Sequence, residues 1–208
     1  MTDPTDNPTA DITWMRQLAE EGSRTPMQGG SILMAAGLIY GITSLVHWGH
    51  VTGLLEPRFA MAGAEWLIAT ALFLVINFVL VARIRRTGGV RTAANRAIGA
   101  IWAGVGCGIF TLFVSMAVVS FRNGADQTDM IFWLVPSIIM VFYGMGWGVT
   151  AAMLKSGPLW ALGIASFVAA PLLGAMAGQY VQYLGYAAAL FLLMALPGFL
   201  LMRSAKQA

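Results

Sequence analysis

Residues 97–121 read AIGAIWAGVGCGIFTLFVSMAVVSF, a stretch without a single charged side chain. A helix needs about 20 apolar residues to cross about 30 Å of hydrocarbon, and backbone groups in lipid must find their hydrogen bonds within the segment, which favours helix. Five more apolar stretches accompany this one, at 31–53, 62–82, 130–153, 159–178 and 181–202. The sequence therefore predicts an all-α fold, a polytopic integral membrane bundle of six transmembrane helices over residues 31–202.

The composition agrees with a membrane protein. Apolar residues make up 58% of the chain and charged residues 10%, too few to cover the surface of a soluble domain. The net charge of +3 does not indicate nucleic acid, because the basic residues lie between the apolar stretches and form no binding face. The single cysteine, Cys107, excludes an intramolecular disulfide and is interpreted as a small packing residue. The expected environment is the lipid bilayer.

Residues 1–30 form a polar tail that carries more acids than bases. The chain does not start with a basic segment that leads into an apolar one, so no cleavable signal peptide is expected. Asp11–Glu21 has an apolar face and is followed by Gly22, which predicts a short amphipathic helix lying along the membrane interface. A regulatory contact with a cytoplasmic protein is the alternative for this segment.

Basic residues predict the orientation, because short loops rich in lysine and arginine stay in the cytoplasm. The second connection, RIRRTGGVRTAANR at 83–96, is the decisive one and places both termini, including the tail at 203–208, inside. Ten of the 12 basic residues are then cytoplasmic: Arg16, Arg24, Arg83, Arg85, Arg86, Arg91, Arg96, Lys155, Arg203 and Lys206. Only Arg58 and Arg122 fall outside. The same loop could also dock a partner or anionic lipid, although topology alone explains its arginines.

Small residues recur at four-residue spacing within the stretches, which favours close helix packing in lipid. The pattern occurs in the first, third, fourth and fifth stretches, as Gly37 and Gly41; Ala100, Gly104 and Gly108; Gly144, Gly148 and Ala152; and Ser166, Ala170, Gly174 and Gly178. These seams could lie within one chain or join two copies in a homo-oligomer.

Prolines lie inside the last three stretches, at Pro136, Pro171 and Pro197. Each removes a backbone donor and can kink its helix. Such breaks can form gates in transporters, but they are also common structural features of membrane helices. Asn77, deep in the second stretch, is interpreted as a helix-to-helix hydrogen bond.

One polar cluster is predicted at the outer ends of the first two stretches. His47 and His50 share a helix face, and Glu65 enters the next, antiparallel stretch beside Trp66. Two imidazoles and a carboxylate could bind a divalent metal, relay protons or sense external pH. Interfacial residues satisfied by water and headgroups are the plainer interpretation.

No nucleophile motif, zinc-protease motif or phosphate loop occurs in the sequence, so an enzyme is not favoured and no catalytic residues, metal or cofactor are expected. The segment QLAEEGSRTPMQGGSILMAAGLIYG, residues 17–41, resembles a group of small, uncharacterised bacterial inner-membrane proteins. That resemblance implies a bacterial inner membrane and brings no activity. The sequence then favours a non-enzymatic regulatory, sensory or scaffolding module. The alternative is a small transporter or channel for an ion or small solute, which is less favoured because few polar residues line the spans.

Overall fold

The computed structural model describes residues 29–56, 63–86, 93–123 and 129–205, and these ranges are helical with short turns. The helices are α1 (Gly30–Val51), α2 (Ala64–Arg86), α3 (Ala93–Asn123), α4 (Asp129–Leu154), α5 (Gly157–Ala175), α6 (Val181–Leu190) and α7 (Leu196–Ala205). A π-helical turn, Phe191–Ala195, joins α6 to α7, so that these three form one long sixth span. Six helices are thus long and apolar enough to cross a membrane, as the sequence predicted.

The helix bounds differ from the predicted ones mainly at three places. The second helix continues to Arg86 instead of ending at 82. The third helix already begins at Ala93, and the fifth ends at Ala175 instead of 178. Gly178, with φ of 83°, lies in the turn that reverses the chain after α5. The predicted amphipathic helix at 11–21 lies outside the described residues.

The turn between α4 and α5 is closed by an unusual cap. Lys155 has φ of 49°, the left-handed conformation that glycine usually supplies after a helix. The N–H of Ser156 reaches back to the carbonyl of Ala151, at 3.1 Å, and satisfies one of the last carbonyls of α4. Pro158 in the first turn of α5 needs no helical donor there, so the next helix can start at once.

Four helical spans form the centre of the bundle and two flank it. The share of residues that are buried inside the bundle is 44% for α4 and for the sixth span, 39% for α1 and 28% for α5. It falls to 6% for α2 and 11% for α3. Helix α2 packs mainly on α1, and α3 packs mainly on α4. The two flanking helices therefore present most of their apolar side chains outward.

The first helix and the sixth span pack backbone against backbone. A Cβ atom added at Gly37 would lie 2.9 Å from the Cα atom of Ala195, and one added at Gly198 would lie 2.6 Å from the carbonyl oxygen of Gly30. Real Cβ atoms do not approach so closely, which means that glycine is required at both positions. Gly41 contacts the ring of Phe191 on the same face. The predicted seam on α1 is therefore a contact within the chain.

Helices α4 and α5 also approach closely, with Gly163 opposite the α4 seam. A Cβ added at Gly163 would lie 3.3 Å from the nitrogen of Gly148 and 3.4 Å from the carbonyl oxygen of Gly144. Ser166 and Ala170, the next members of the α5 seam, are buried. The contact predicted for these two helices is found at Gly144, Gly148, Ser166 and Ala170. It does not extend to Ala152, which is exposed, or to Gly178, which lies beyond the end of α5.

Within the chain, the contact predicted for α3 is not found at Gly104. A Cβ added there would have no neighbour within 4 Å, and only Gly108 meets another helix, through the ring of Phe142. Gly104 lies on the outward face of α3, whereas Ile98, Val105 and Met116 face the core. The glycine spacing of α3 therefore marks a face of small residues that is not packed against another helix of this chain at Gly104.

The prolines are accommodated inside continuous helices. Pro197 follows the π-helical turn and cannot donate to the carbonyl of Leu193, four residues earlier. That carbonyl instead accepts the indole N–H of Trp147 on α4, at 3.0 Å. Pro136 and Pro171 lie within α4 and α5, where Ser137 donates from its hydroxyl to the carbonyl of Ala170, at 2.6 Å. Only the contact at Leu193 compensates for a donor that a proline removes.

Candidate functional site

The candidate site lies where α1 ends and α2 begins. His47 and His50 are on the last two turns of α1, which stops at Thr52 and Gly53, the latter with φ of 75°. Glu65 is in the first turn of α2, where the positive end of the helix dipole stabilises a carboxylate. The two helices pack against each other, so the chain reversal brings these side chains to the same end of the bundle.

Glu65 is the centre of this His–Glu cluster, which we define as His47, His50 and Glu65. Oε1 of Glu65 is hydrogen-bonded to Nδ1 of His47. The same oxygen is 3.8 Å from Nδ1 of His50, a distance at which only a charged imidazolium would be attracted. Side-chain exposures of 13%, 24% and 16% for the three residues leave the cluster accessible but sheltered.

Aromatic rings hold His47 in place. The ring of Tyr183 on α6 meets it edge-on with centroids 4.5 Å apart, and Trp66 on α2 lies 5.7 Å away. The Ser44 hydroxyl, one turn before His47, donates to the carbonyl of Tyr183 at 2.7 Å. His47 thus joins three helices, α1, α2 and α6, at one point.

Next to Tyr183 in the chain, the buried side chain of Gln182 joins α6 to two further helices. Gln182 is fully buried on α6. Its Nε2 donates to the carbonyls of Trp133 on α4, at 2.7 Å, and Leu173 on α5, at 2.9 Å. Trp133 in turn packs on Tyr183, with centroids 5.5 Å apart. The packing around His47 is therefore linked to all four central spans.

The structure brings together the three side chains that the sequence placed near one another. Sequence reasoning missed Tyr183, Gln182 and Ser44, because nothing local shows which helix lies beside α1. A weak indication existed on α1 itself, since Tyr40, Ser44 and His47 are spaced to lie on one helix face.

Two other predicted features have different outcomes. Asn77 is half-buried on α2, and among the described residues no other helix forms a hydrogen bond with its side chain, so the predicted helix-to-helix bond is not found. Within the same part of the chain, no group of three His, Cys, Asp or Glu side chains is arranged to hold a metal ion.

No protein-family model, curated protein or solved structure matched the chain. The function must therefore be argued from the cluster and from the packing around it.

Proposed function

We propose that the protein is a non-enzymatic sensory module of a bacterial inner membrane, with both termini in the cytoplasm, that responds to proton concentration on the outer side. The ten-to-two distribution of basic residues supports this orientation. It places the His–Glu cluster at the outer rim. The apolar character of all six long helices supports membrane insertion.

The observation that carries the proposal is the position of His47 between Glu65 and Tyr183, where three helices meet. Histidine is the side chain whose charge ordinarily changes between about pH 5 and about pH 8. A neutral His47 donates an uncharged N–H to the Glu65 carboxylate, whereas an imidazolium adds the attraction of opposite charges to the same hydrogen bond. Protonation of His50 adds attraction across its 3.8 Å separation from Glu65. We therefore expect acid to tighten the contact between α1 and α2.

Helix α1 offers a route from this rim to the opposite end of the bundle. It carries His47 near one end and Gly30, packed on Gly198, at the other. Because the contact with the sixth span is backbone on backbone, a displacement of α1 must move its neighbour or break the contact. Such a movement would be transmitted to the polar tail that precedes α1.

A transport function has less support from the interior. The buried polar side chains donate to helix carbonyls: Thr43 to Ile39, Ser44 to Tyr183, Thr150 to Gly146, Ser166 to Leu162, and the amide nitrogen of Gln182 to Trp133 and Leu173. Only the amide oxygen of Gln182 has no partner among these residues. Side chains that form bonds of this kind stabilise helices and do not by themselves make a polar route. The proposed sensory function accordingly does not require that the protein transport a solute.

Hydrogen exchange of the purified protein in lipid nanodiscs tests the proposal. Between about pH 8 and about pH 5, after correction for the intrinsic exchange rate, amides at the end of α1 and the start of α2 should become more protected in the wild type. His47→Gln and Glu65→Gln should abolish the difference. Glu56→Gln, which changes an exposed acid a few residues after α1, should retain it.

Two results would overturn the sensory function. One is equal protection of the wild type at both pH values, or a wild-type response in His47→Gln. The other comes from proteoliposomes with a trapped pH dye: proton equilibration faster than in empty vesicles, and slowed in Glu65→Gln, would make the protein a proton pathway instead.

A further inference from the structure

Asn77 is a polar side chain deep in α2 that has no partner within the described part of the chain. Among those residues, none forms a hydrogen bond with its amide. At a rise of 1.5 Å per residue, Asn77 lies about 20 Å along α2 from Ala64 and about 14 Å from Arg86. In a bilayer with about 30 Å of hydrocarbon, this depth is out of reach of water and headgroups. An amide in hydrocarbon without a hydrogen bond is unfavourable, so Asn77 requires a partner from outside the chain.

The position of Asn77 on α2 leaves its amide accessible from the side. Helix α2 is the least buried span, at 6%, and packs mainly on α1. That contact includes the buried Ala69 and the ring of Phe73, which lies 5.6 Å from the ring of Tyr40. At 100° per residue, Asn77 lies about 40° further round the helix than Phe73, on the side away from Ala69. It is half-buried, and its amide is not sealed inside the bundle. A helix that packs beside α2 can therefore reach it.

Asn77 belongs to a row of residues that suits such a helix. The row, which we call the α2 seam, consists of Leu67, Thr70, Leu74, Asn77 and Val81. Its members are alternately three and four residues apart, the spacing at which two helices pack along each other at a small angle. Leu67 is 73% exposed and Leu74 58%, so the seam is open to the outside. The Thr70 hydroxyl donates to the carbonyl of Trp66 in its own helix, at 2.8 Å, which leaves Asn77 as the polar member of the seam that needs a partner.

The chemistry of the amide and the membrane geometry together indicate which partner fits. A carboxamide carries both donors and an acceptor, so two asparagines that face each other can each donate an N–H to the oxygen of the other. Copies of one chain that insert in the same orientation hold Asn77 at the same depth. A two-fold axis along the membrane normal then brings the two amides together. Lipid chains supply neither donor nor acceptor, and a different protein would need a polar group at this same depth.

We propose that the α2 seam joins two copies of the chain in a parallel dimer, with the Asn77 amides hydrogen-bonded to each other across the two-fold axis. Hydrogen bonds between polar side chains and close side-chain packing are the interactions that drive helix association in lipid. The proposal rests on the membrane insertion that forms part of the proposed function, and it does not depend on the response to pH.

Energy transfer between copies in liposomes measures the dimer. Full-length chains carrying donor or acceptor dyes at the C-terminus are reconstituted together at decreasing ratios of protein to lipid. Asn77→Leu should weaken dimerisation about tenfold, as expected for a polar contact between membrane helices. Asn77→Gln retains the carboxamide and should keep most of the affinity. Ser115→Ala is the matched control, because Ser115 is exposed on α3 and its hydroxyl already donates to its own helix at Thr111, at 2.8 Å. It should leave dimerisation unchanged.

Cysteine crosslinking tests the geometry of the contact independently. In a Cys107→Ser background, Leu74→Cys places one thiol on the α2 seam, and Val75→Cys places one at the next residue. Val75 is 63% exposed, against 58% for Leu74, and lies about 100° away round the helix. Oxidation with copper phenanthroline in the liposomes should form the disulfide-linked dimer much faster in Leu74→Cys than in Val75→Cys, because only thiols that face each other can be joined.

Several results would overturn the dimer. They are an inserted wild type that stays monomeric at every dilution, a wild-type affinity in Asn77→Leu, or equal crosslinking at the two cysteine positions. A dimer that Gly104→Leu weakens and Asn77→Leu does not would assign the contact to α3. A monomer that retains another membrane protein, lost in Asn77→Leu, would assign the seam to that protein. Flotation after an alkaline wash checks insertion first: a protein that does not float would overturn both the insertion and the dimer. Circular dichroism checks that each variant folds, and if Asn77→Leu does not fold, the crosslinking still decides.

Discussion

Helices α1 and α3 carry the same arrangement of small residues four apart, yet α1 packs both of its glycines against the sixth span, whereas α3 packs only Gly108 against another helix. On α1, Gly37 and Gly41 face the sixth span, and Gly37 lies against the backbone of Ala195. On α3, Gly104 faces away from the protein and has open space where a side chain would be. Spacing shows that a helix can be approached closely, but a second backbone must be present for the approach to occur.

The difference follows from the neighbours that each helix has. Helix α1 packs against the sixth span along its whole length and against α2 as well, whereas α3 packs mainly on α4. A helix with neighbours on several sides buries most faces, and a flanking helix buries one. In lipid, where apolar side chains are equally favourable outside, nothing forces the glycine face inward.

The largest effect is expected for Gly37→Leu. A side chain at this position would collide with the backbone of Ala195, which cannot move aside like a flexible side chain. We expect a loss of about 3 kcal/mol or more in the free energy of unfolding, at or above the usual cost of overpacking. Loss of helical circular dichroism on titration with a denaturing detergent measures it. Wild-type stability in this variant would mean that α1 and the sixth span are not in backbone contact.

An intermediate effect is expected for Trp147→Phe, which keeps an aromatic ring but removes the donor to the Leu193 carbonyl. Pro197 has no N–H to donate to that carbonyl, so without the Trp147 indole the carbonyl would be buried and unpaired. The expected loss is about 1–3 kcal/mol in the same measurement.

Trp160→Phe is the matched control, since Trp160 is 48% exposed. It should change the free energy of unfolding by no more than about 0.5 kcal/mol. Equal losses in the two variants would remove the special role of Trp147 beside the π-helical turn.

The smallest effect is expected for Gly104→Leu. Leucine has a better helix propensity than glycine and meets no neighbour at this position. The free energy of unfolding should change by no more than about 0.5 kcal/mol or rise slightly. Light scattering in detergent adds a second measurement. A shift towards monomers would show that the small-residue face of α3 joins two copies, and the comparison with α1 would then be between contacts within and between chains.

The helices were predictable from the sequence because the requirement that creates them is local. Length and apolar content decide whether a segment such as 97–121 can span a bilayer, and the structure has a helix at each of the six predicted stretches. The pairing of helices was not predictable to the same degree. The contact between Gly30 and Gly198 joins residues near the two ends of the chain, and no pattern within either helix shows that they meet.

The same reasoning applies to the His–Glu cluster. His47 and Glu65 could be placed together because α1 and α2 follow each other in the chain and must run antiparallel. Tyr183 belongs to a helix more than a hundred residues away, and the order of helices around a bundle is not encoded in any single segment. A prediction from composition therefore finds the charged members of a site more readily than the aromatic residues that surround them.

The π-helical turn at Phe191–Ala195 has a consequence for how this chain can change during evolution. Such a turn is equivalent to one extra residue inserted into an α-helix, which turns everything beyond it by about 100°. Deleting one residue here would restore a regular helix, but it would also rotate Gly198 away from Gly30 and bring a larger side chain to that contact. The number of residues in the sixth span is therefore constrained as strictly as their identity, and insertions or deletions should be tolerated in the connections well before they are tolerated here.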